Sequence, residues 1–228
     1  MKDNFDVPAN LDDHNFYGFK LSQEQRTFIN AVWNPDNLVV ICNAKAGTGK
    51  TLLSLGVASL LVQYGLYEKI YYIMSPTQEQ IQGYLPGDQE TKSLVYADPL
   101  YQALYALGIN PNVAVISSDN VMAQKNGSAY IEFKTHTYMR GTNLEKAVVI
   151  LDESQNYFTD SLKKVLTRIH DSCKTIVIGH SGQVDIIKHP ERSGFVKMIE
   201  LFKDSDFTQV CELTENHRGK VSLLADQL

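Results

Sequence analysis

The chain has 228 residues, a net charge of −5 and a hydrophobic content of 43%, which is ordinary for a globular protein of one large or two small domains. The negative charge argues against a broad basic face for nucleic acid, although a local basic groove stays compatible with it, especially one built by oligomerisation. No apolar run approaches the ~18 residues of a membrane span, so we expect no membrane contact.

Two features of the sequence predict a cytoplasmic protein. The first six residues lack the basic and then apolar pattern of a secretion signal. The three cysteines, Cys42, Cys173 and Cys211, are odd in number and widely spaced, which indicates reduced thiols.

The N-terminal part of the chain divides into an arm and a helix. Residues 1–20 are acidic and mixed in character and are predicted to form a loose N-terminal arm. Residues 21–33 then have the pattern of an amphipathic helix, with Ser22 as the N-cap and Gln25 three positions later. We expect residues 21–228 to form one domain.

Apolar strands alternate with helices through the rest of the chain. Strands are predicted at residues 38–42, 69–74, 113–116, 130–133, 147–151 and 175–179, and helices at residues 50–64, 94–107 and 162–170. Residues 75–92 are polar and predict a long loop, which in a compact domain is usually functional. This alternation indicates an α/β fold with a mostly parallel sheet and helices on both faces.

An octapeptide between the first buried strand and the next helix carries the strongest functional signal. It consists of Ala44, Lys45, Ala46, Gly47, Thr48, Gly49, Lys50 and Thr51. A glycine-rich turn that opens a helix presents backbone N–H groups and the positive end of the helix dipole to one concavity, which is the arrangement that binds nucleotide phosphates. We call residues 44–51 the phosphate loop.

Two side chains of the phosphate loop are predicted to act on the nucleotide directly. Lys50 is expected to reach the β- and γ-phosphates as a point charge, and Thr51 to place its hydroxyl on Mg²⁺. The consensus has glycine where this chain has Ala44, and alanine costs little there if its φ is negative. The alternative is a glycine-rich turn with an incidental Lys-Thr pair, and the flanking strand and helix favour phosphate binding.

Two carboxylates follow the predicted strand at residues 147–151. In open α/β sheets, ligands bind at the carboxyl ends of the strands. Asp152 is therefore predicted to hold Mg²⁺ together with Thr51, and Glu153 to polarise an attacking water, which favours hydrolysis. The alternative is that these carboxylates only cap the next helix, and the phosphate loop earlier in the chain makes this alternative less favoured.

The loop after the strand at residues 175–179 offers further polar groups. Ser181 or Gln183 is a candidate for reading the γ-phosphate, and a plain loop is an equally supported alternative. We do not expect His180 to bind a metal, because no second His, Cys or carboxylate lies at ligand spacing.

Phosphoryl transfer also needs a cation that stabilises charge on the transferred group. The chain has few arginines in suitable positions, and we prefer Arg168 and Arg218 over Arg140 as site residues. The alternative for each of them is an exposed charge on the surface with no role in the site, which is usual for an arginine.

Taken together, these motifs resemble the PhoH-like ATPases, including the forms common in bacteriophages. The resemblance runs from about residue 21 to the C-terminus. It is carried by the phosphate loop and by three further segments, Gly-Tyr-Leu-Pro-Gly-Asp at residues 83–88, Leu-Asp-Glu-Ser-Gln-Asn at 151–156 and Leu-Thr-Arg at 166–168. It implies a single RecA-like P-loop NTPase domain related to superfamily 1 helicases.

The resemblance also implies roles and partners. Gln25 would contact adenine, Gln155 would lie near the γ-phosphate, and an arginine from a neighbouring subunit would complete each site of a hexameric ring. The implied partner is RNA or single-stranded DNA, and the implied location is a bacterial cell or a phage-infected one. In the loop at residues 76–92, Tyr84 would stack on a base, and a lid or interface role for that loop is an equal alternative.

We therefore predict ATP and Mg²⁺ as cofactors, and ATP hydrolysis coupled to remodelling of RNA or single-stranded nucleic acid. One alternative is a nucleotide-switched oligomeric binding protein with weak hydrolysis, which is suggested by His180 where the family usually has an aspartate. Another is a small-molecule kinase, against which Glu153 and the lack of an arginine-rich lid segment argue.

Overall fold

The computed structural model of the protein describes residues 6–75, 97–139, 141–183 and 193–225. Within these ranges, six strands form one sheet: β1 (Val39–Ala44), β2 (Lys69–Met74), β3 (Ile131–Thr135), β4 (Ala147–Asp152), β5 (Lys174–Gly179) and β6 (Thr208–Leu213). Their order across the sheet is β3-β2-β4-β5-β1-β6, and every neighbouring pair is parallel. The predicted α/β fold with a parallel sheet is confirmed.

Helices cover both faces of this sheet. In the described ranges they are α1 (Gln23–Trp33), α2 (Lys50–Gln63), α3 (Asp98–Ala106), α4 (Pro111–Ala114), α5 (Val121–Lys125), α6 (Thr159–Leu166), α7 (Gly194–Phe202) and α8 (Lys220–Ala225). α1, α2 and α3 bury Phe28, Leu55 and Leu104 on one face, and α6 and α7 bury Leu162 and Phe195 on the other. None of these helices has the length and apolarity to cross a bilayer.

The apolar runs in the sequence explain these positions. All six residues of β4 and all six of β5 are buried, as expected of parallel strands that are covered on both faces. Every residue from Leu53 to Leu61 is buried in α2, because this helix lies between the sheet and the helices α1 and α3. The sheet and α2 thereby form a rigid support for the loop that joins β1 to α2.

Part of the predicted N-terminal arm is packed against the domain. Leu11 and Phe16 are fully buried, and Phe16 lies so close to Gly56 of α2 that a Cβ there would come within 2.5 Å of its ring. The backbone N–H of Leu11 donates to Asn30 Oδ1 of α1 at 2.7 Å. The prediction of a loose arm is therefore wrong for residues 11–16, because two large apolar side chains complete the core beside α1 and α2.

The structure differs from the sequence prediction at two further places. Residues 113–116 do not form the predicted strand, because Pro111 and the Asn110 cap start a helical turn, α4, and Val115 makes only an isolated bridge to Ile131. The helix expected at residues 162–170 is α6, which begins earlier and ends at Leu166. It ends there because the following residues run beside Leu144 and exchange backbone hydrogen bonds with it.

The strand β6 was missed in the sequence, since its residues alternate between exposed and less exposed positions and form no apolar run. It lies at the edge of the sheet and pairs with β1 over six residues, from Val39 opposite Thr208 to Ala44 opposite Leu213. Because β6 runs parallel to β1, the residues that follow β6 lie at the carboxyl ends of the strands, where the phosphate loop also lies.

Candidate functional site

The phosphate loop connects the carboxyl end of β1 to the first turn of α2. Positive φ angles occur at Gly47 (76°) and Gly49 (85°), where glycine has no steric penalty. Ala44 is the last residue of β1 and has no positive φ, so its replacement of glycine costs the backbone little. Thr48 is buried, and its hydroxyl donates to the carbonyl of Lys45 at 2.9 Å, which closes the turn.

Gln25 lies against the phosphate loop from α1. Its side-chain nitrogen donates to the Thr48 carbonyl at 2.9 Å, and its side-chain oxygen accepts from the backbone N–H of Ser22 at 3.0 Å. Ser22 Oγ in turn accepts from the backbone N–H of Gln25, so the predicted capping box is confirmed. The structure thus gives Gln25 a role in holding the loop, and the adenine contact stays a prediction.

Asp152, the last residue of β4, is fully buried beside the first turn of α2. Its Oδ2 accepts from Thr51 Oγ1 at 2.8 Å and from the hydroxyl of Tyr72 at 2.5 Å. Its Oδ1 accepts from the backbone N–H of Glu153 at 2.7 Å. The predicted Thr51–Asp152 pair is brought together across 101 positions of sequence, and Tyr72 joins it without having been singled out in the sequence.

The titration properties of this cluster follow from its burial. Burial raises the pKa of Asp152 above the usual aspartate value, and the charge of Glu153 raises it further, while Lys50, Tyr72 and Thr51 oppose that rise. Burial and the nearby Asp152 charge raise the pKa of Tyr72 well above its usual value. The Tyr72 hydroxyl therefore keeps its proton and acts as a donor.

Glu153 has a left-handed backbone, with φ 50° and ψ 43°, at the point where β4 turns into the 3₁₀ segment Ser154–Asn156. One carboxylate oxygen lies 3.5 Å from Lys50 Nζ, and the other accepts from Gln155 Nε2 at 2.6 Å. A positive φ is uncommon in residues other than glycine, and among the described residues Tyr17 and Lys146 share it. Glu153 thus contacts both Lys50 and Gln155, and the roles predicted for the three residues stay predictions.

The end of β5 joins the site through Gln155. The backbone N–H of His180 donates to Gln155 Oε1 at 3.1 Å, and the backbone N–H of Ser181 donates to Asn43 Oδ1 of β1 at 3.0 Å. Gln183 lies exposed in the turn that follows, at the same edge of the sheet. Its reading of the γ-phosphate stays a prediction.

The segment at residues 214–218 follows β6 and brings Asn216, His217 and Arg218 onto the phosphate loop. The backbone N–H of His217 donates to the Gly47 carbonyl at 2.9 Å. A Cβ on Gly47 would meet Asn216 Oδ1 at 2.7 Å and Arg218 Cδ at 3.1 Å. Arg218 is therefore adjacent to the phosphate loop of its own chain, which the unpredicted pairing of β6 with β1 makes possible.

Arg168 lies elsewhere. Its carbonyl accepts from the backbone N–H of Leu144, before the start of β4, whereas the site is built after the end of β4. The six residues of β4 separate the two positions by about 20 Å at about 3.3 Å per residue. Arg168 is therefore not brought to the site of its own chain, and a catalytic role in the site of a neighbouring subunit stays a prediction. Arg140 and the loop at residues 76–92 lie outside the described residues.

The residues present fit a magnesium–nucleotide complex. The loop leads into the 14-residue helix α2, whose N-cap Gly49 gives no side-chain hydrogen bond to the first-turn N–H groups, so that these groups remain for an anion. A hydroxyl and a carboxylate, on Thr51 and Asp152, supply the oxygen ligands that Mg²⁺ prefers. The parallel sheet, the phosphate loop and this pair together define the P-loop NTPase class.

Comparison with known proteins narrows this class to a family. A sequence model of the family described as PhoH-like protein matches residues 20–223. The chain belongs to that family.

The relatives are longer proteins. Protein PhoH2 of Bacillus subtilis is 29% identical over 226 residues, which are 96% of this chain and 49% of that protein. A PhoH-like protein of the same organism is 34% identical over 204 residues, or 88% of this chain and 60% of that protein. The chain thus spans roughly half the length of these relatives.

Among solved structures, the large terminase of bacteriophage HK97 has a similar fold. The TM-score is 0.53 at 14% identity, with 90% of this chain and 41% of the terminase chain covered. This similarity agrees with a RecA-like arrangement of the sheet.

Proposed function

We propose that the protein binds ATP with Mg²⁺ and hydrolyses the nucleotide. The observation that supports this proposal is the convergence of the phosphate loop, the Thr51–Asp152 pair and Glu153 at one edge of the sheet. A bound Mg²⁺ neutralises charge on the β- and γ-phosphates. Thr51 and Asp152 are the residues that would hold it, and Lys50 would contact the phosphates.

Glu153 would accept the proton of the attacking water. In the structure its carboxylate is shared between Lys50 and Gln155. When Lys50 turns towards the phosphates, Glu153 loses one of these partners, while Gln155 continues to hold the second oxygen. The freed oxygen can then face a water beside the γ-phosphate, which is the position that a general base requires.

The substitution Glu153→Gln tests this role, because it keeps the shape of the side chain and removes its basicity. We expect multiple-turnover phosphate release to fall by about a hundredfold or more, the usual contribution of a general base. ATP affinity should remain near that of the wild type. A Lys50→Ala variant is the control for binding and should lose affinity for the nucleotide.

Full hydrolysis by the Glu153→Gln protein would contradict the role of Glu153. Unchanged ATP affinity in a folded Lys50→Ala protein would contradict the phosphate-loop interpretation itself.

A second candidate function is a nucleotide-switched binding protein with weak hydrolysis. It is supported by the two contacts that occupy Glu153 and by His180 at the position of the family's aspartate. Phosphate release separates the two candidates. Many turnovers per chain in excess ATP and Mg²⁺ favour the hydrolase, whereas one turnover or fewer favours the switch.

We further propose that the chain works in the cytoplasm as a homo-oligomeric ring and acts on RNA or single-stranded DNA. The family resemblance supports this proposal. Mass photometry with and without a non-hydrolysable ATP analogue tests the oligomer. Stimulation of phosphate release by single-stranded RNA or DNA tests the partner, and a monomer at all concentrations would contradict the ring.

A further inference from the structure

The hydroxyl of Tyr72 has no part in the hydrolysis proposed above, yet it makes the shortest of the three contacts to Asp152. It donates to Oδ2 at 2.5 Å, and Thr51 Oγ1 donates to the same oxygen at 2.8 Å. Tyr72 is fully buried in the middle of β2. A polar group in that position needs a partner, and Asp152 is the partner that the fold provides.

The register of the sheet places this hydroxyl. Tyr72 of β2 lies opposite Ile150 of β4, and Met74 lies opposite Asp152. Side chains two positions apart in a strand lie on the same face, so the long ring of Tyr72 reaches diagonally from Ile150 to Asp152. Phe133 of β3 stacks on that ring, with centroids 6.1 Å apart and planes inclined by 30°. An aliphatic residue at position 72 could not make the contact.

We propose that Tyr72 is a positioning residue that holds the carboxylate of Asp152 in the orientation needed to bind magnesium. The proposal rests on the proposed function, because it assumes that Asp152 and Thr51 hold Mg²⁺ when the nucleotide is bound. Thr51 must then present its hydroxyl oxygen to the metal, which changes its contact with Asp152. Tyr72 lies on the neighbouring strand β2, so its contact with Asp152 is kept with and without bound Mg²⁺.

A carboxylate that ligates or faces a metal is usually fixed by further hydrogen bonds, and their loss weakens metal binding. Without Tyr72, the buried Oδ2 would retain one donor, Thr51, and that donor is needed elsewhere in the loaded site. The carboxylate would then be held at Oδ1 alone, by the backbone N–H of Glu153, and could turn about that contact. The effect should therefore fall on Mg²⁺ and leave the contacts of the phosphate loop with the nucleotide unchanged.

The test is the Tyr72→Phe variant, read by binding of a fluorescent non-hydrolysable ATP analogue during titration with MgCl₂. We expect the Mg²⁺ concentration at half-maximal binding to rise about tenfold. Affinity for the analogue in EDTA should be unchanged. Tyr157→Phe is the matched control, since Tyr157 is also fully buried and its hydroxyl donates to the Ile73 carbonyl at 3.1 Å. That variant should keep the wild-type Mg²⁺ midpoint.

Phe133→Leu is a second variant, because it loosens the ring of Tyr72 and keeps the hydroxyl. It should move the Mg²⁺ midpoint in the same direction by a smaller factor, and it tests the proposal if Tyr72→Phe does not fold. An unchanged midpoint in the folded variants, or an equal shift in Tyr157→Phe, overturns the role of Tyr72. If the wild type itself binds the analogue without any dependence on Mg²⁺, the proposed function fails instead.

Discussion

At the scale of single residues, Gly47 shows how closely the site is packed. Its φ of 76° is a conformation that alanine adopts only with strain, and its missing Cβ leaves room for Asn216 Oδ1 and Arg218 Cδ. The Asn216 side chain is fixed as well, since it accepts from the backbone N–H of Arg218 at 2.8 Å and donates to Ser222 Oγ at 2.8 Å. The glycine therefore serves the phosphate loop and the segment 214–218 together.

The Gly47→Ala variant should lose both stability and nucleotide binding. The positive φ costs roughly 1–2 kcal/mol of unfolding free energy, and displacement of Asn216 should weaken ATP binding about tenfold, the equivalent of one lost hydrogen bond of about 1.4 kcal/mol. Gly108→Ala is the control, because Gly108 has a φ of 72° with nothing within 4 Å of the added Cβ. Urea unfolding and ATP titration of both variants are the measurements. Equal ATP affinities would show that the contact with Asn216 does not matter for binding.

At the scale of elements, the first turn of α1 has two functions. The capping box of Ser22 and Gln25 starts the helix, and the side-chain nitrogen of Gln25 holds the phosphate loop by donating to the Thr48 carbonyl. Gln25 is buried, with 8% of its surface exposed, so water cannot easily replace either contact. The same residue, Gln25, therefore helps to start α1 and to hold the phosphate loop in place.

Two substitutions in this turn should separate those functions. Ser22→Ala and Gln25→Ala each break the capping box, and each should lower the unfolding free energy by about 1 kcal/mol. Only Gln25→Ala also releases the phosphate loop, so only it should weaken ATP binding, by about fivefold to tenfold. Thermal unfolding and nucleotide titration measure the two effects. If Ser22→Ala weakened ATP binding as much as Gln25→Ala, the loop contact would have no separate role.

At the scale of the whole molecule, the two candidate arginines lie at opposite ends of the strands, Arg218 at the carboxyl ends and Arg168 at the amino ends. Arg218 is beside Gly47 of its own chain, whereas Arg168 is beside Leu144 at the amino end of β4. A charge about 20 Å away does not stabilise a transition state, because charge stabilisation at the phosphoryl group requires direct contact. The assembly state therefore decides whether Arg168 can contribute.

Variants of the two arginines should respond differently to protein concentration. Arg218→Ala should lower phosphate release at least about tenfold at every concentration, since an arginine that contacts the transition state contributes that much or more. Arg168→Ala should lower it only at concentrations where mass photometry detects oligomers. A loss of activity in monomeric Arg168→Ala protein would contradict the position that the structure gives this residue.

The parts of the site that are close in sequence were predicted from sequence. The phosphate loop, its strand and its helix are contiguous, and the spacing of glycines and apolar residues specifies them. The pair Asp152 and Glu153 was placed correctly at a strand end, because the continuous apolar run of five residues at 147–151 identifies a buried parallel strand. The capping box of Ser22 and Gln25 was predicted for the same reason, since its two residues are three positions apart.

The remaining features depend on contacts between distant segments. β6 has no apolar run, so its pairing with β1, and with it the position of Arg218, could not be deduced from periodicity. Tyr72 looks like an ordinary residue of a buried strand until the register of β2 and β4 brings its hydroxyl to Asp152, 80 positions away. The position of Arg168 depends on where α6 ends, and that end is set by backbone contacts to Leu144, which belongs to a different segment of the chain.

The sequence by itself thus determined the fold class, the phosphate loop and the carboxylate pair at the end of β4, because short-range spacing encodes each of them. Only the tertiary structure decided which arginine lies beside the loop, which tyrosine holds the carboxylate and which part of the N-terminal segment belongs to the core. The physical reason is that strand order and register, which no local pattern encodes, determine which side chains meet at the edge of a parallel sheet.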